Sequence, residues 1–192
     1  PVDAAGLDFY DRLVDGLLAR GISPMATLYH WDTPLPVEQA GGWTNRDTAK
    51  RLGEFAAIMG ERLGDRVPEW ATVNEAATVV MNGYGLGVHA PGEERLFKAG
   101  AVARNMLLGH GYAVQGLRSA GVSGRIGITN THTPCTPAED TRKDKAMAGL
   151  LDAEGRALDS VLSRRRPGPG NAQRTKSLVR PLLTLLFENT NN

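Results

Sequence analysis

Apolar side chains recur at helical spacing over residues 3–20, where Leu7, Tyr10, Leu13, Val14, Leu17 and Leu18 share a face and Gly21 supplies a stop. Pro24-Met25-Ala26-Thr27-Leu28-Tyr29 then reads as a buried strand that ends in His30-Trp31-Asp32. A turn-rich stretch through Pro34, Pro36 and Gly41-Gly42-Trp43 follows. Asn45 is placed to cap a helix with Ala49, Leu52, Phe55, Ala56, Met59 and Leu63 on one face, closed by Gly64. Trp70-Ala71-Thr72-Val73 reads as a second buried strand, running into Asn74-Glu75. After a loop from Asn82 to Gly92 rich in Gly, Tyr, His and Pro, the pattern predicts a helix from about Glu93 to Ala120. Arg125-Ile126-Gly127-Ile128-Thr129-Asn130 is a third strand, and a last helical stretch lies within Pro137–Leu162.

Strands alternating with helices imply right-handed βαβ units and a parallel sheet. All three strands end in polar or aromatic groups: His30-Trp31-Asp32, Asn74-Glu75 and Asn130-Thr131-His132. Taken singly, each has an ordinary explanation. His30 fits a satisfied core histidine, Trp31 and Trp43 fit packing, Asp32 fits a cap or bridge, and Glu75 fits a solvated strand-to-loop junction. Adjacent parallel strands, however, would bring these ends together at the carboxyl edge of the sheet, where α/β proteins build their sites. Carboxamide, imidazole and indole groups around a carboxyl suit a sugar, whose hydroxyls need convergent partners and whose ring face wants an aromatic wall.

Composition sets outer limits. A chain of 192 residues, 41% hydrophobic, can bury a core of domain size. Its 22 basic and 21 acidic groups balance, so neither nucleic acid nor a membrane is expected as a partner. The single cysteine, Cys135, forms no internal disulfide, and no signal peptide or membrane-length apolar run occurs; the default expectation is a cytoplasmic protein. The chain starts at Pro1 rather than methionine, which suggests that upstream sequence has been removed. Residues 163–192 differ from the rest, with six basic groups (Arg164, Arg165, Arg166, Arg174, Lys176, Arg180) against one acidic group, Glu188. The expected division is therefore a barrel segment at 1–162 and a basic, Pro/Gly-broken tail at 163–192. A shifted reading frame or an artificial end would produce such a tail.

Leu28-Tyr29-His30-Trp31-Asp32-Thr33-Pro34, Gly41-Gly42-Trp43 and Trp70-Ala71-Thr72-Val73-Asn74-Glu75 resemble the family 1 glycoside hydrolases, the β-glucosidase family, in order and spacing. Gly83-Tyr84, Gly87, Ala90-Pro91-Gly92, Gly109-His110 and Gly127-Ile128 before Asn130 continue the match, from about Pro1 to Ala148. The resemblance implies an α/β fold, a partial (β/α)8 TIM barrel of about strands 3–5 with flanking helices. It implies retaining hydrolysis of β-glucosides or related small saccharides, with no cofactor or metal. Glu75 would be the general acid/base, Asn74 would hydrogen-bond the sugar 2-hydroxyl, and His30 and Trp31 would bind the sugar in the cleaved subsite. Asn130 would line the pocket. One small departure is Ala76, where the family usually has proline.

The larger departure is an absence. Retaining hydrolysis needs a second carboxylate about 5–5.5 Å from the first, and no segment like the family's Thr-Glu-Asn-Gly nucleophile motif occurs here. Phe187-Glu188-Asn189-Thr190 is a superficial echo without the glycine. The isolated chain is therefore expected to be inactive. Two rivals stand beside the enzyme reading: a catalytically dead, carbohydrate-binding half barrel, and a fragment that needs a partner chain. A half barrel leaves strand edges unpaired, so self-association through its open face is expected as well.

Overall fold

The structure is a computed structural model that describes residues 2–131 and 135–149. Two compact units divide the chain, Pro1–Thr129 and Asn130–Asn192. In the first, α1 (Ala4–Leu18) leads to β1 (Met25–Tyr29), a short α2 (Leu35–Gln39) and a 3-10 turn (Gly42–Thr44). Next come α3 (Arg46–Leu63), β2 (Glu69–Asn74), and a helical turn α4 (Ala76–Thr78) that runs into a π-helical turn (Val79–Gly85). A 3-10 turn (Leu96–Lys98), α5 (Ala99–Ser119) and β3 (Arg125–Thr129) complete the unit.

The three strands form one parallel sheet in the order β1-β2-β3. Each crossover carries a helix, as parallel pairing requires. Tyr29 pairs with Val73 across β1 and β2, and Glu69 with Arg125 across β2 and β3. The middle strand is the most deeply covered: Trp70, Ala71, Thr72 and Val73 are all buried. Withdrawing one Val side chain from water contributes about 1.5–3 kcal/mol, so this run fixes the strand's place. Opposite β3 the ladder slips, since Ala71 pairs with Gly127 but Asn74 with Thr129. The extra residue in β2 is a bulge just before the strand's polar end, a position where bulges re-aim side chains.

The helices form where the sequence pattern places them. Of the apolar face read on α1, however, only Val14 is buried, with Tyr10, Leu13 and Leu18 exposed. The strand read as buried at 24–29 exposes Met25 and Thr27. Asp3 caps α1 by accepting from the Ala5 amide, and Asn45 caps α3 by accepting from the Asp47 amide. On α3, Thr48, Ala49, Leu52, Gly53, Ala56, Met59, Gly60 and Leu63 are buried. Its main partner is α5, and the approach is close: a Cβ on Gly116 would strike the Gly53 carbonyl, and one on Gly53 would strike Tyr112. Three further expectations need correction. Residues 35–39 form a helix inside the stretch read as turns, with Pro36 near its start where a missing N–H is harmless. Residues 79–85 form a π-helical turn, so the loop is helical at its beginning. Finally, α5 starts at Ala99 and not near Glu93, because the Glu93 and Arg95 amides donate to the Gly83 and Tyr84 carbonyls of that turn.

In the second unit, Asn130, Thr131 and 135–149 are described, and 142–149 are helical, within the stretch expected to be so. The proposed boundary at 162/163, the basic tail with Glu188, and His132 lie outside the described residues. Among the described residues no helix is long and apolar enough to cross a membrane.

Candidate active site

Two strand ends in the first unit share a peculiarity. Trp31, two residues past β1, has φ +77, and Glu75, directly after β2, has φ +46 and ψ 61. Among the described residues these are the non-glycine positions with positive φ, a conformation that costs about 1–2 kcal/mol for an L-residue with a Cβ. Such strain persists only where the surroundings over-determine it, and it concentrates at functional positions. Here the surroundings are visible. The Glu75 amide donates to the Thr129 carbonyl at 2.8 Å, and the Thr78 hydroxyl donates to Glu75 Oε2 at 2.9 Å. Tyr29 Oη donates to the Trp31 carbonyl at 3.3 Å.

Asn74 joins the two ends. Its carbonyl accepts from the Trp31 indole Nε1 at 3.1 Å, and its side-chain Oδ1 accepts from the Thr129 hydroxyl at 2.8 Å. That second bond sets the amide's orientation and turns Nδ2 toward His30 Nε2, 3.3 Å away. With Nδ2 donating, Nε2 is the acceptor and a neutral His30 carries its proton on Nδ1. The ring of His30 meets Trp31 edge-on at 5.5 Å, and His89 lies over Trp31 at 5.4 Å with a 35° tilt. His30 is exposed, whereas Trp31, Asn74 and Glu75 are half-buried, so this cluster lies at the surface of the unit rather than in its core. The indole N–H is already used by Asn74, and with His89 over one side of the ring only the other face of Trp31 is left for a ligand. Behind the cluster Thr72, fully buried, is bonded to His110 Nδ1 at 2.7 Å and to the Gly127 carbonyl at 3.2 Å, tying β2 to α5 and β3.

Of the residues singled out from sequence, His30, Trp31, Asn74 and Glu75 come together in this unit. Asn130 follows β3 directly but falls in the second unit, where its side chain is half-buried. Asp32 is elsewhere: it lines an apolar cavity of about 280 Å³ with Leu28, Tyr29, Trp43, Leu52 and Phe55, and none of the four clustered residues borders it. Sequence reasoning missed Thr78 and Thr129. Thr129 had a signal, since it ends a strand adjacent in order to the one that carries Asn74; Thr78 had none, because its role depends on the turn that Glu75 begins.

A second polar group lies nearby in the chain. Tyr84, 1% exposed, donates its hydroxyl to both carboxylate oxygens of Glu38, at 3.1 and 3.0 Å, and accepts from the Trp43 amide at 3.0 Å. Burial pushes the Tyr84 phenol far above the ordinary tyrosine range, while the Trp43 amide opposes it. Burial likewise raises the Glu38 carboxyl, against the pull of the Tyr84 hydroxyl. Among the described residues no group of three or more His, Cys, Asp or Glu side chains is placed to hold a metal ion.

The family model for glycosyl hydrolase family 1 matches residues 1–160. The chain is 49% identical to thermostable beta-glucosidase B of Thermobispora bispora, over 87% of this chain and 34% of that protein. Identity is 43% with beta-glucosidase A of Acetivibrio thermocellus, over 84% and 37%, and 37% with 6-phospho-beta-galactosidase of Clostridium acetobutylicum, over 78% and 32%. Among solved structures, the family 1 β-glucosidase of Thermotoga maritima in complex with isofagomine lactam superposes with a TM-score of 0.77 at 37% identity, covering 81% of this chain and 35% of that one. The chain thus spans about a third of the length of the relatives it matches. Its parallel sheet with helical crossovers is a segment of their (β/α)8 TIM barrel. By sequence and by fold, the chain belongs to glycosyl hydrolase family 1.

Proposed function

We propose that this chain supplies the acid/base half of a retaining β-glycosidase site acting on β-glucosides or related saccharides. Glu75 is the general acid/base. It protonates the glycosidic oxygen as the bond breaks, then takes a proton from the water that releases the sugar. Asn74 donates from Nδ2 to the sugar 2-hydroxyl, Trp31 offers a ring face, and His30 holds a further hydroxyl. The reading is supported chiefly by one observation: the strained, left-handed Glu75 at the end of the middle strand, bonded by Thr78 and Thr129 beside the Asn74–His30–Trp31 network. The nucleophile comes from elsewhere, on another polypeptide or on sequence beyond this chain, and without it the chain is inactive. Its place of action is the cytoplasm.

The test is an aryl β-glucoside assay of the purified chain beside Glu75→Ala. No turnover attributable to Glu75 is expected from the chain alone, since general acid catalysis supplies only about 10²–10⁴-fold and positioning is incomplete. Supplied with a polypeptide carrying the remaining barrel strands and their carboxylate, the assembly should hydrolyse the substrate. In that assembly Glu75→Gln should abolish action on poor leaving groups and spare the glycosylation step with good ones. Equal loss for both kinds counts against Glu75. Robust Glu75-dependent turnover by the chain alone overturns the absent nucleophile, and sugar binding without turnover in any assembly leaves a carbohydrate-binding half barrel.

A further inference from the structure

The Glu38–Tyr84–Trp43 group joins two segments that each grow out of a strand end of the candidate site. Glu38 is on α2 and Trp43 on the 3-10 turn, both in the connection that begins with His30 and Trp31. Tyr84 is on the π-helical turn, which continues without a break from α4, the turn that Glu75 begins. The Gly42–Thr44 turn is held from three sides. Thr48 of α3 donates to the Gly42 carbonyl at 2.5 Å, Asn105 of α5 donates to the Trp43 carbonyl at 2.9 Å, and Tyr84 takes the Trp43 amide. Trp43, 1% exposed, also meets the Tyr29 ring edge-on at 5.2 Å, and Tyr29 Oη holds the Trp31 carbonyl. A continuous buried path therefore runs from the Trp31 backbone through Tyr29, Trp43 and Tyr84 to the turn that starts at Glu75. Room for it is made by Gly42, at φ +50, whose Cβ would strike both Glu38 oxygens and the Tyr84 hydroxyl. The Tyr84 ring is enclosed, and its hydroxyl bonds add a fixed direction to that burial. Wide helical turns such as Val79–Gly85 are uncommon and recur at functional sites.

We propose that Tyr84 and Glu38 are positioning residues that clasp the two strand-end segments together and thereby hold the Glu75 carboxyl in place. The proposal rests on the reading of Glu75 as the acid/base, but its test needs no turnover, so the two fail separately. The full chain is labelled with carbon-13 at glutamate carboxyls, and the Glu75 signal is assigned by its loss in Glu75→Gln. Its titration midpoint is then followed in wild type, Tyr84→Phe and Glu38→Gln, together with amide exchange across the chain. In Tyr84→Phe the Glu75 midpoint should move by about 0.5 unit or more. Amides of residues 75–85 should exchange ~10-fold faster or more, while those of α3 and α5 keep their protection. Glu38→Gln still accepts the Tyr84 hydrogen bond through its carboxamide oxygen and should show a smaller shift in the same direction. An unmoved Glu75 midpoint, or exchange that rises uniformly along the chain, overturns the clasp and leaves Tyr84 as packing alone. If Tyr84→Phe does not fold, Glu38→Ala, which removes the acceptor, decides alone, with an unchanged Glu75 midpoint and unchanged exchange at 75–85 as the overturning result. Turnover unaffected by Glu75→Gln in an active assembly would sink the acid/base reading and say nothing against the clasp.

Discussion

Gly42 and Gly121 both sit at positive φ, +50 and +84, but their surroundings differ. A Cβ at Gly121 meets nothing within 4 Å, so Gly121→Ala should cost only the backbone term, about 1–2 kcal/mol. At Gly42 the same methyl also displaces a half-buried, bonded carboxylate and a buried phenol, adding about 1–3 kcal/mol for polar groups left unmet. Gly42→Ala should therefore lower the urea midpoint clearly further than Gly121→Ala; equal losses would mean that the Glu38–Tyr84 contact is yielding. The same group sets a pH limit. Burial holds the Tyr84 and Tyr29 phenols above the ordinary tyrosine value of 10.0. The folded chain therefore binds these protons more tightly than the unfolded one. Their contribution to stability is whole below about pH 10 and falls as pH rises past it. Phenolate absorbance should show Tyr29 and Tyr84 ionising together with unfolding. Free, reversible ionisation of both in the folded chain near the ordinary value would contradict their buried bonding.

The docking of α1 is decided at the scale of elements. Val14 is its only buried residue, whereas three aspartates on it reach α3 and the residues just after it. Arg62 contacts Asp8 and Asp11 at 2.8 and 2.7 Å, and Arg66 contacts Asp11 and Asp15 at 2.6 Å each. The Arg66 hydrogen bond, aided by Arg62, holds the Asp11 carboxyl below its usual value. That contribution is present above the ordinary carboxylate range and is lost as pH falls through it. Asp8, Asp15 and Arg62 are exposed and Asp11 and Arg66 half-buried, and salt screens them all, so each pair is weak and the network matters as a whole. Arg66→Ala should speed amide exchange in α1 selectively, and high salt should narrow the difference from wild type. Exchange unchanged in α1 would assign the docking to Val14 and its neighbours. The sequence made α1, α3 and the three strands legible, because apolar spacing, Asn45 and the glycine stops are local signals. The π-helical turn and the start of α5 were not legible. Both depend on the Glu93 and Arg95 amides finding the Gly83 and Tyr84 carbonyls, contacts that no period in the sequence reports. At the site, residue types at strand ends pointed to His30, Trp31, Asn74 and Glu75. The bulge in β2 and the hydroxyls that orient Asn74 and Glu75 appear only once the register is known.

At the scale of the molecule, the described sheet has β2 flanked on both sides and β1 and β3 each paired on one side only. Unpaired edges recruit other strands. Met25, 54% exposed on β1, belongs to such an edge. Self-association through it predicts a mass that rises with concentration in sedimentation, reduced by Met25→Lys; a constant monomer mass for the unaltered chain would remove that expectation. The left-handed backbone at Trp31 and Glu75 has a consequence of another kind, for selection. Glycine at either position relieves the strain, so Glu75→Gly should be more stable than Glu75→Ala by about 1 kcal/mol, although both lack the carboxyl. A library of this chain sorted only for folding would drift toward glycine or asparagine at both positions. One sorted for sugar turnover in an assembly with the remaining barrel strands would, on the proposed roles, keep tryptophan and glutamate against that pull. Two codons thus record which pressure a population of such chains has lived under.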